Sequence, residues 1–378
     1  MGVKATHEAC LFARDQEKTP VLWRGFRVMV SDGTKIIIPR TEETITAYGL
    51  PSGRTGNAYY PQIHAVGFFD LATRTFSTAD FSSGKPDERG SVLRHAAANP
   101  ETTLYLQDAG YNGVAYLFQM SRLPGHAVLM TLKMGDMGGE VAAFRRSKRR
   151  SHVITLKLQR LQVARYPELA PFVDTSFQVR LLRQPGSSTL RSQILVTTLL
   201  DEDAYPHHEL ILLHLQRGRI EFGFRHLKTL TFIEHLRKFK LRRILQHIGG
   251  ALLAYNLAAI LRNAAKPPEL FPDQEGTAMP ALSAAFHAMK DVIMMAAAGV
   301  TAWGDREWRK ILLPVASSRY KYRPFRIRPR ITQFPSSVFT RQKTSVLHDE
   351  LRKARELARD LKRIKVFYSL LISTLCLK

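Results

Sequence analysis

The sequence predicts an α/β protein in which a mixed sheet is flanked by helices. Three observations lead to this fold class: several β-like runs follow one another near the N-terminus, a strand–helix step comes before residue 126, and helical patterns dominate after residue 200. With 45% hydrophobic and 23% charged residues, the 378-residue chain has enough apolar surface for a buried core. This composition excludes a disordered basic tail.

The first elements are predicted to form a sheet. Apolar runs at 28–30 and 36–38 flank an Asp32-Gly33 pair, and such a pair between two β-like runs predicts a hairpin turn. Two more strands, 63–71 and 75–79, follow a loop rich in Gly, Pro and Ser. The fold is therefore expected to begin with three or more consecutive strands.

A strand–helix step follows this sheet. Residues 89–98 have a helical pattern, residues 103–107 form a short apolar strand, and residues 113–122 are again helical in pattern. The strand ends directly before Asp108. In α/β sheets ligands collect at the carboxyl ends of strands, so Asp108 is a candidate site residue.

Beyond residue 126 the pattern changes twice. Short β-like runs predict a β-rich insertion at 126–133, 153–158, 176–182 and 193–198. Helices are predicted after it at 207–232, 236–265, 277–299 and 350–365. We expect four regions: 1–126 as the first part of the core, 127–200 as the insertion, 201–300 as the helical completion of the core, and 301–378 as a basic C-terminal region.

The charge predicts a polyanionic partner. Lys and Arg number 56 against 32 Asp and Glu, which gives a formal net charge of +24 and a pI near 10.3. Cys10 and Cys376, the two cysteines, supply neither a disulfide framework nor a zinc cluster, so an intracellular setting is expected. No apolar run reaches the roughly 20 residues that span a bilayer, so no membrane partner is expected.

Three carboxylates are candidates for one metal site: Asp32 in the predicted turn, Asp108 at the strand end, and Glu221 on a long predicted helix. Singly, each has an ordinary explanation as a turn residue, a helix cap, or an ion-pair partner of Arg217 or Arg225. Together they suit two Mg²⁺ ions, which prefer oxygen ligands. Two such ions roughly 3.5–4 Å apart promote in-line displacement at phosphorus.

The predicted helix around Glu221 has a cationic face. Its polar residues recur at spacings of three and four and so share one side of the helix: His214, Arg217, Glu221, Arg225 and Lys228. Apolar packing is expected from the opposite positions: Leu212, Leu213, Leu215, Ile220, Phe222 and Leu227. Arginine holds phosphate by a bidentate fork and lysine as a point charge, so this face is expected to bind DNA phosphates.

These features together resemble the DDE transposases of bacterial insertion sequences, in the group marked by a Y-x2-R-x3-E-x6-K signature (insertion sequence family four). Four segments are similar to the blocks around the two aspartates, the strand before the signature and the helix that closes the catalytic domain: 31–39, 104–111, 196–201 and 251–257. The signature itself is filled by His214, Arg217, Glu221 and Lys228.

The resemblance implies an RNase H-like fold with a β insertion between the second Asp and the Glu. It implies that Asp32, Asp108 and Glu221 hold two Mg²⁺ ions, for which Mn²⁺ can substitute, during cut-and-paste movement of an element. The implied partners are double-stranded DNA, both transposon ends and target, and a second copy of the chain in a synaptic homodimer. The implied location is the bacterial cytoplasm, in association with the nucleoid.

The sequence departs from the family pattern at two site positions. The signature tyrosine is His214, and the arginine that is common after the second aspartate is Ala109. Family members also usually carry an N-terminal DNA-binding region before the first aspartate block, whereas residues 1–31 alone precede Asp32 here. We therefore expect a chain truncated at its N-terminus.

Two other functions stay open at this point. A degenerate transposase derivative would bind DNA without cutting it, through two basic runs: Arg145, Arg146, Lys148, Arg149 and Arg150, and the stretch 319–330. The ordinary explanation of such runs is a solvated surface, although aromatic residues alternate with the cations of the second run, which favours nucleic acid. An RNase H-like nuclease would share the three carboxylates and lack strand transfer.

Overall fold

The structure confirms the predicted α/β class, because one mixed sheet carries helices on both faces. The computed structural model describes residues 2–16, 22–53, 56–82, 87–133, 138–163, 166–185, 192–234, 236, 240–265, 279–299 and 304–318. The helices are α1 (Gly2–Gln16), α2 (Glu42–Tyr48), α3 (Glu88–Ala98), α4 (Val114–Ser121), α5 (Gly138–Arg146), α6 (Arg160–Val163), α7 (His207–Leu215), α8 (Arg219–Leu230), α9 (Leu241–Ala265), α10 (Leu282–Ala297) and α11 (Asp305–Ser317). The strands are β1 (Arg27–Ile37), β2 (Ser52–Gly53), β3 (Gly56–Asn57), β4 (Gln62–Asp70), β5 (Thr75–Ser82), β6 (Thr103–Gln107), β7 (His126–Thr131), β8 (Ser151–Lys157), β9 (Ser176–Gln184) and β10 (Gln193–Thr197).

The chain divides into two units. The first unit comprises residues 1–184 and 193–320, and the second comprises residues 185–192 and 321–378. Of the second unit, Pro185 and Ser192 alone belong to the described residues. The predicted helix at 350–365 and the basic stretch 319–330 lie outside the described residues.

The large sheet has the strand order β5-β4-β1-β6-β7-β10-β9-β8. β1, β4 and β5 form an antiparallel meander, and β6 and β7 continue from β1 in parallel. These five strands have the arrangement expected of an RNase H-like core. The remaining strands, β10, β9 and β8, extend the same sheet by antiparallel pairing.

The hairpin predicted at Asp32-Gly33 is wrong. β1 runs without a turn from Arg27 to Ile37, and nine consecutive residues of it pair with β4, including Asp32 opposite Gly67. The long partner strand satisfies the backbone groups of β1 throughout, whereas a tight turn would leave many of them unpaired. Tertiary pairing therefore outweighs the local preference of an Asp-Gly pair.

Strand alternation sends apolar side chains into two cores. One core combines Val28, Val30, Leu104 and Leu106 with residues of α7, α8, α9, α10 and α11. The other combines Met29 and the intervening residues of the sheet with α3, α4 and α5. Because both faces are covered, β6 is buried along its whole length, and β1 is apolar from Val28 to Val30 before it continues into the polar residues around Asp32.

The single helix predicted at 207–232 is wrong, because a turn at residues 216–218 separates α7 from α8. The break changes which side chains face the core. Leu213, Ile220 and Leu227 are buried as expected, but Leu212, Leu215 and Phe222 are exposed. The polar stripe predicted from continuous helical spacing is therefore divided between two helices and a turn.

The sheet continues through the region predicted as a β insertion. β7 pairs in parallel with β6, so this strand lies in the middle of the sheet. β8, β9 and β10 lie beyond it and form the far edge. The boundaries of the four regions, including the start of the insertion at residue 127, stay predictions.

Helix α9 is long and packs centrally. Within the described parts of the chain, α9 is the one helix that meets the length and composition needed to cross a bilayer, with 25 residues. Half of its apolar window is nevertheless buried inside the fold. The Asn256 side chain accepts a hydrogen bond from the Phe76 amide at 2.9 Å and donates to the Phe76 carbonyl at 2.8 Å and the Val3 carbonyl at 3.2 Å. These bonds join α9 to β5 and α1, as expected for a core helix.

A buried charge cluster lies near the start of β1. Asp70 is fully buried, and its Oδ2 contacts His7 Nε2 at 3.0 Å and Arg27 Nη1 at 3.1 Å. Its Oδ1 accepts hydrogen bonds from the amides of Ala72 and Thr73. The cluster therefore links α1, β1 and the end of β4 with its charges paired.

Candidate functional site

Asp32 lies on β1, and Asp108 directly follows the neighbouring parallel strand β6, close enough for its charge to act on Asp32. The register of β1 and β6 pairs Val30 with Leu106, and continuing it by two residues places Asp32 beside Asp108. Just before the two acids, Gln107 Nε2 donates to Ser31 Oγ at 3.0 Å. Parallel pairing thus brings together two carboxylates that lie 76 positions apart in sequence.

Asp108 is held by the turn that follows its strand. β6 ends at Gln107, and Asp108 Oδ1 accepts a hydrogen bond from the Gly110 amide at 2.7 Å, which caps a 3₁₀ turn. Arg89 on α3 donates to the carbonyls of Gly110 and Asn112, at 3.1 and 2.5 Å. The expected capping role of Asp108 is therefore present.

Glu221 reaches the same edge through an arginine. Arg217, in the turn between α7 and α8, contacts Asp32 Oδ2 through Nη1 at 3.8 Å and Glu221 Oε1 through Nη2 at 2.9 Å. One guanidinium therefore bridges the two carboxylates. Glu221 lies in the first turn of α8, where the helix dipole favours its negative charge.

Negative charge exceeds positive charge at the sheet edge that carries Asp32 and Asp108. The pKa of Asp32 is raised to about 6, first by burial and then by the negative charge of Asp108. Its hydrogen bond from the Gly33 amide and the charge of Arg217 act in the opposite direction, and Glu88 adds to the increase. A cation at this position would relieve the repulsion between the carboxylates.

Glu88 and His64 complete the surroundings of Asp32. His64 Nε2 lies 3.0 Å from Glu88 Oε1, directly over the backbone of Gly33. A β-carbon at Gly33 would overlap both the Glu88 carboxylate and the His64 imidazole, so glycine is what permits their close approach. No sequence pattern indicated either residue, because they come from α3 and β4 and meet through sheet pairing alone.

The chemistry of the donors suits a hard divalent cation, although the present arrangement is not closed around one. Carboxylate oxygens are the ligands that Mg²⁺ prefers. Within the described residues, no group of three His, Cys, Asp or Glu side chains is gathered tightly enough to hold a metal ion. The guanidinium of Arg217 lies between Asp32 and Glu221, so closing the site on a cation requires this side chain to move.

His214 lies away from the surface on which phosphate binding was predicted. It is 6% exposed, with Nε2 3.1 Å from Thr131 Oγ1 and Nδ1 3.1 Å from Gln184 Oε1. Burial, together with the charge of Arg217, lowers the pKa of His214 to about 4, so the ring is neutral at physiological pH. In this conformation His214 joins α7 to β7 and β9 and is not placed to contact DNA.

The two other predicted phosphate-binding residues lie on α8. Arg225 is exposed, and its guanidinium stacks 5.1 Å from the centre of the exposed Phe222 ring. Lys228 Nζ donates to the Lys35 carbonyl at 2.6 Å and pairs with Glu234 at 3.0 Å. Lys228 therefore ties α8 to the part of β1 that continues beyond Asp32.

Comparison with known proteins gives matches that include this site. A family model described as the transposase DDE domain matches residues 23–257, which contain all three carboxylates. The chain is 27% identical over 240 residues to the transposase InsG of insertion sequence element IS4 from Escherichia coli strain K12, covering 62% of this chain and 52% of that protein. The chain thus spans about half the length of this curated relative. A cryo-EM structure of the piggyBac transposase synaptic complex with hairpin DNA matches with a TM-score of 0.44 and 10% identity, over 84% of this chain and 60% of that one.

Proposed function

Because the chain belongs to the transposase DDE domain family, we propose that it is a DNA transposase that hydrolyses and rejoins strands at the ends of an insertion sequence. The observation that carries the proposal is the meeting of three carboxylates at one sheet edge, Asp32 beside Asp108 and bridged through Arg217 to Glu221. Similarity to the IS4 transposase supports the insertion-sequence group.

Asp32, Asp108 and Glu221 are the residues that would hold the metal ions, two Mg²⁺ with Mn²⁺ as a substitute. Bound there, the ions would supply charge stabilisation at phosphorus and lower the pKa of a bound water molecule. The raised pKa of Asp32, caused by burial and by Asp108, supports this assignment, since it reflects carboxylates that lack sufficient positive charge.

The chain's own residues then orient the DNA. Asp32 has to be ionised to act as a ligand, so protons are expected to compete with the metal ion and metal affinity to decrease as pH falls below about 6. Arg217, once separated from the carboxylates, presents a fork suited to a phosphate of the bound strand. We expect the exposed Arg225 on α8 to contact a neighbouring phosphate, and Lys228 to contact another once it leaves its pair with Glu234. We expect His214 to act indirectly, by holding α7 in place.

The partners and assembly follow from the same proposal. We assign double-stranded DNA, as transposon ends and as target, and a homodimer in which two copies bring two ends together. The proposed domain layout keeps 1–126 and 201–300 as the two parts of the core, 127–200 as the insertion, and 301–378 as a basic region. The proposed location is the bacterial nucleoid.

The test is strand cleavage on end-labelled duplexes that contain the DNA flanking the chain's own coding sequence. Wild type with Mg²⁺ or Mn²⁺ should cleave at the element boundary. Asp32→Asn, Asp108→Asn and Glu221→Gln should each lower the rate by at least about 10³-fold, because each removes a charged ligand of the metal ions that stabilise the reacting phosphorus. Glu168→Gln, which neutralises an exposed carboxylate in a 3₁₀ turn, is the matched control and should cleave normally.

Binding without cleavage is the second candidate function, and one observation favours it. Arg217 already neutralises part of the negative charge that a metal site would use. If wild type and the three carboxylate variants all bind the duplex and none of them cleaves it, the chain is a degenerate derivative. Cleavage without joining of the freed 3′-end to a second duplex would instead identify a nuclease.

A further inference from the structure

A turn with five cations connects α5 to β8. This basic turn, residues 145–150, contains Arg145, Arg146, Lys148, Arg149 and Arg150, and all but the half-buried Arg145 are exposed. Within the part of the chain that the structure describes, none of the five takes part in an ion pair. On the strand that follows, by contrast, the exposed Lys157 pairs with Asp174 at 3.0 Å.

A sixth cation holds the basic turn in shape. Arg183, on β9, donates through Nη2 to the carbonyls of Phe144, Arg145 and Ser147, at 2.6, 3.3 and 2.9 Å, and through Nε to the Arg149 carbonyl at 3.2 Å. Its guanidinium also stacks 5.1 Å from the centre of the Phe144 ring. One side chain thus satisfies four backbone acceptors, which fixes the backbone from which the other cations extend.

This arrangement is costly unless a polyanion is present. Like charges held within a few residues of one another repel, and Arg183 adds a further positive charge instead of an acidic partner. A helix C-terminus favours cations and so explains Arg145 and Arg146, which end α5. It does not explain Lys148, Arg149 and Arg150, which follow the helix.

The chemistry of the basic turn fits a phosphate backbone better than a membrane surface. Duplex DNA carries one negative charge per roughly 1.7 Å of its axis, which suits several cations in a fixed row. The adjoining apolar side chain, Phe144, is 2% exposed and packs inward, so the basic turn offers no apolar group for insertion into lipid.

We propose that the basic turn is a second DNA contact, separate from the three carboxylates, which binds the phosphate backbone of a duplex regardless of sequence and is held in its binding shape by Arg183. The inference rests on the proposed function for its choice of DNA. It adds a surface that the carboxylate site does not require.

Binding to an unrelated labelled duplex, measured by fluorescence anisotropy in EDTA over a salt series, tests the proposal without any chemistry. Neutralising Lys148, Arg149 and Arg150 together to Gln should weaken binding on the order of tenfold and reduce the slope of log Kd against log salt by about 2.7, at about 0.9 per lost phosphate contact. The matched control is Arg306→Gln, Arg309→Gln and Lys310→Gln on α11, which removes the same charge from another exposed surface. Equal losses in the two triple variants would overturn the proposal.

Arg183→Lys tests the organising role, because lysine keeps the charge but lacks the planar fork. It should lower affinity several-fold while the salt slope changes by less than one. Unchanged affinity in a variant with a wild-type melting temperature would reject the role of Arg183.

Tighter binding of wild type to anionic vesicles than to the duplex would reject DNA as the occupant. A protein that binds the duplex through the basic turn but never cleaves would refute the proposed catalysis and leave this inference standing.

Discussion

Two carboxylates, one near each end of β1, have pKa values that are shifted in opposite directions. Near its start, burial alone would raise the pKa of Asp70, but His7, Arg27 and backbone amides hold it below its usual range. Near the other end, burial and Asp108 raise the pKa of Asp32 to about 6. Asp70 has enough cationic and hydrogen-bonding partners within the fold to keep it ionised, whereas Asp32 has too few. The contrast indicates that Asp70 serves stability, and it agrees with the proposal that Asp32 binds a cation.

The largest expected effect on stability comes from removing the charge of Asp70. Asp70→Asn removes the charge that faces the buried His7 and Arg27, of which Arg27 keeps Glu101 as a partner, and should lower the free energy of unfolding by about 3–5 kcal/mol. Urea denaturation followed by circular dichroism measures this loss. Asp80→Asn removes one of the two carboxylate partners of the exposed Arg94 and should lower the free energy of unfolding by about 1 kcal/mol or less. A similar small loss at Asp70 would contradict the comparison.

The pH dependence of stability should have opposite signs at the two ends. A raised folded pKa means that the contribution of Asp32 is fully present below its unfolded value of 3.8 and is lost as pH rises through about 6. The contribution of Asp70, whose pKa is lowered, is present above its unfolded value and is lost as pH falls through its folded value. Asp32→Asn should therefore stabilise the metal-free protein at pH 7 by up to about 3 kcal/mol, and less at pH 4.

This prediction has to be measured as a difference between wild type and variant. Burial lowers the pKa of His95 and His214 to about 4, so their contributions weaken as pH falls through the same range. Both histidines are present in the two proteins and cancel in the difference. A wild-type minus variant difference that does not change between pH 4 and pH 7 would show that Asp32 is not perturbed.

Divalent cations should stabilise the protein through Asp32 and Asp108, and not through the charge cluster around Asp70. At a Mg²⁺ or Mn²⁺ concentration about 100 times Kd, binding should stabilise wild type by about 2.7 kcal/mol and raise its melting temperature. Asp32→Asn and Asp108→Asn should lose this increase. Arg217→Gln should bind the cation several-fold more tightly, because the guanidinium no longer competes for Asp32 and Glu221. Calorimetric titration of the four proteins with Mn²⁺ would detect a failure of either expectation.

The smallest expected effect is at Gly33. Gly33→Ala displaces the ends of two side chains, Glu88 and His64, and should lower the free energy of unfolding by about 1 kcal/mol or less, within the range for overpacking relieved by side-chain movement. Since Glu88 contributes to the raised pKa of Asp32, moving it away should lower that pKa. Carboxyl-carbon NMR titration would measure the change, and a higher pKa would contradict the arrangement described.

The sequence predicted the layers of the fold better than its local turns. The strand–helix step is found as expected, and the helices predicted at 236–265 and 277–299 correspond to α9 and α10, since apolar periodicity over many residues reports which faces are buried. The Asp32-Gly33 hairpin failed because its partner strand is supplied by residues 62–70, which local preference cannot weigh. The helix at 207–232 failed at a turn that no proline or strong capping pattern marks.

The carboxylates of the candidate site could be predicted from the sequence, but the residues that contact them could not. Spacing and resemblance led to Asp32, Asp108 and Glu221, whereas the bridge through Arg217 depends on a turn that the sequence did not predict. The approach of Glu88 and His64 depends on sheet register. His214 is buried because it shares one face of α7 with Leu210, four residues earlier, which packs into the core.

A single uninterrupted strand has a further consequence for how the protein opens. The stretch of β1 between its two charge clusters includes Val28 and Val30, which are at most 1% exposed and pair with strands on both sides. Amides in such positions exchange with deuterium through global unfolding and not through local fraying. The edge that carries Asp32 is therefore continuous with a part of the sheet expected to exchange slowly, whereas Arg217 lies outside the sheet, in the turn between α7 and α8.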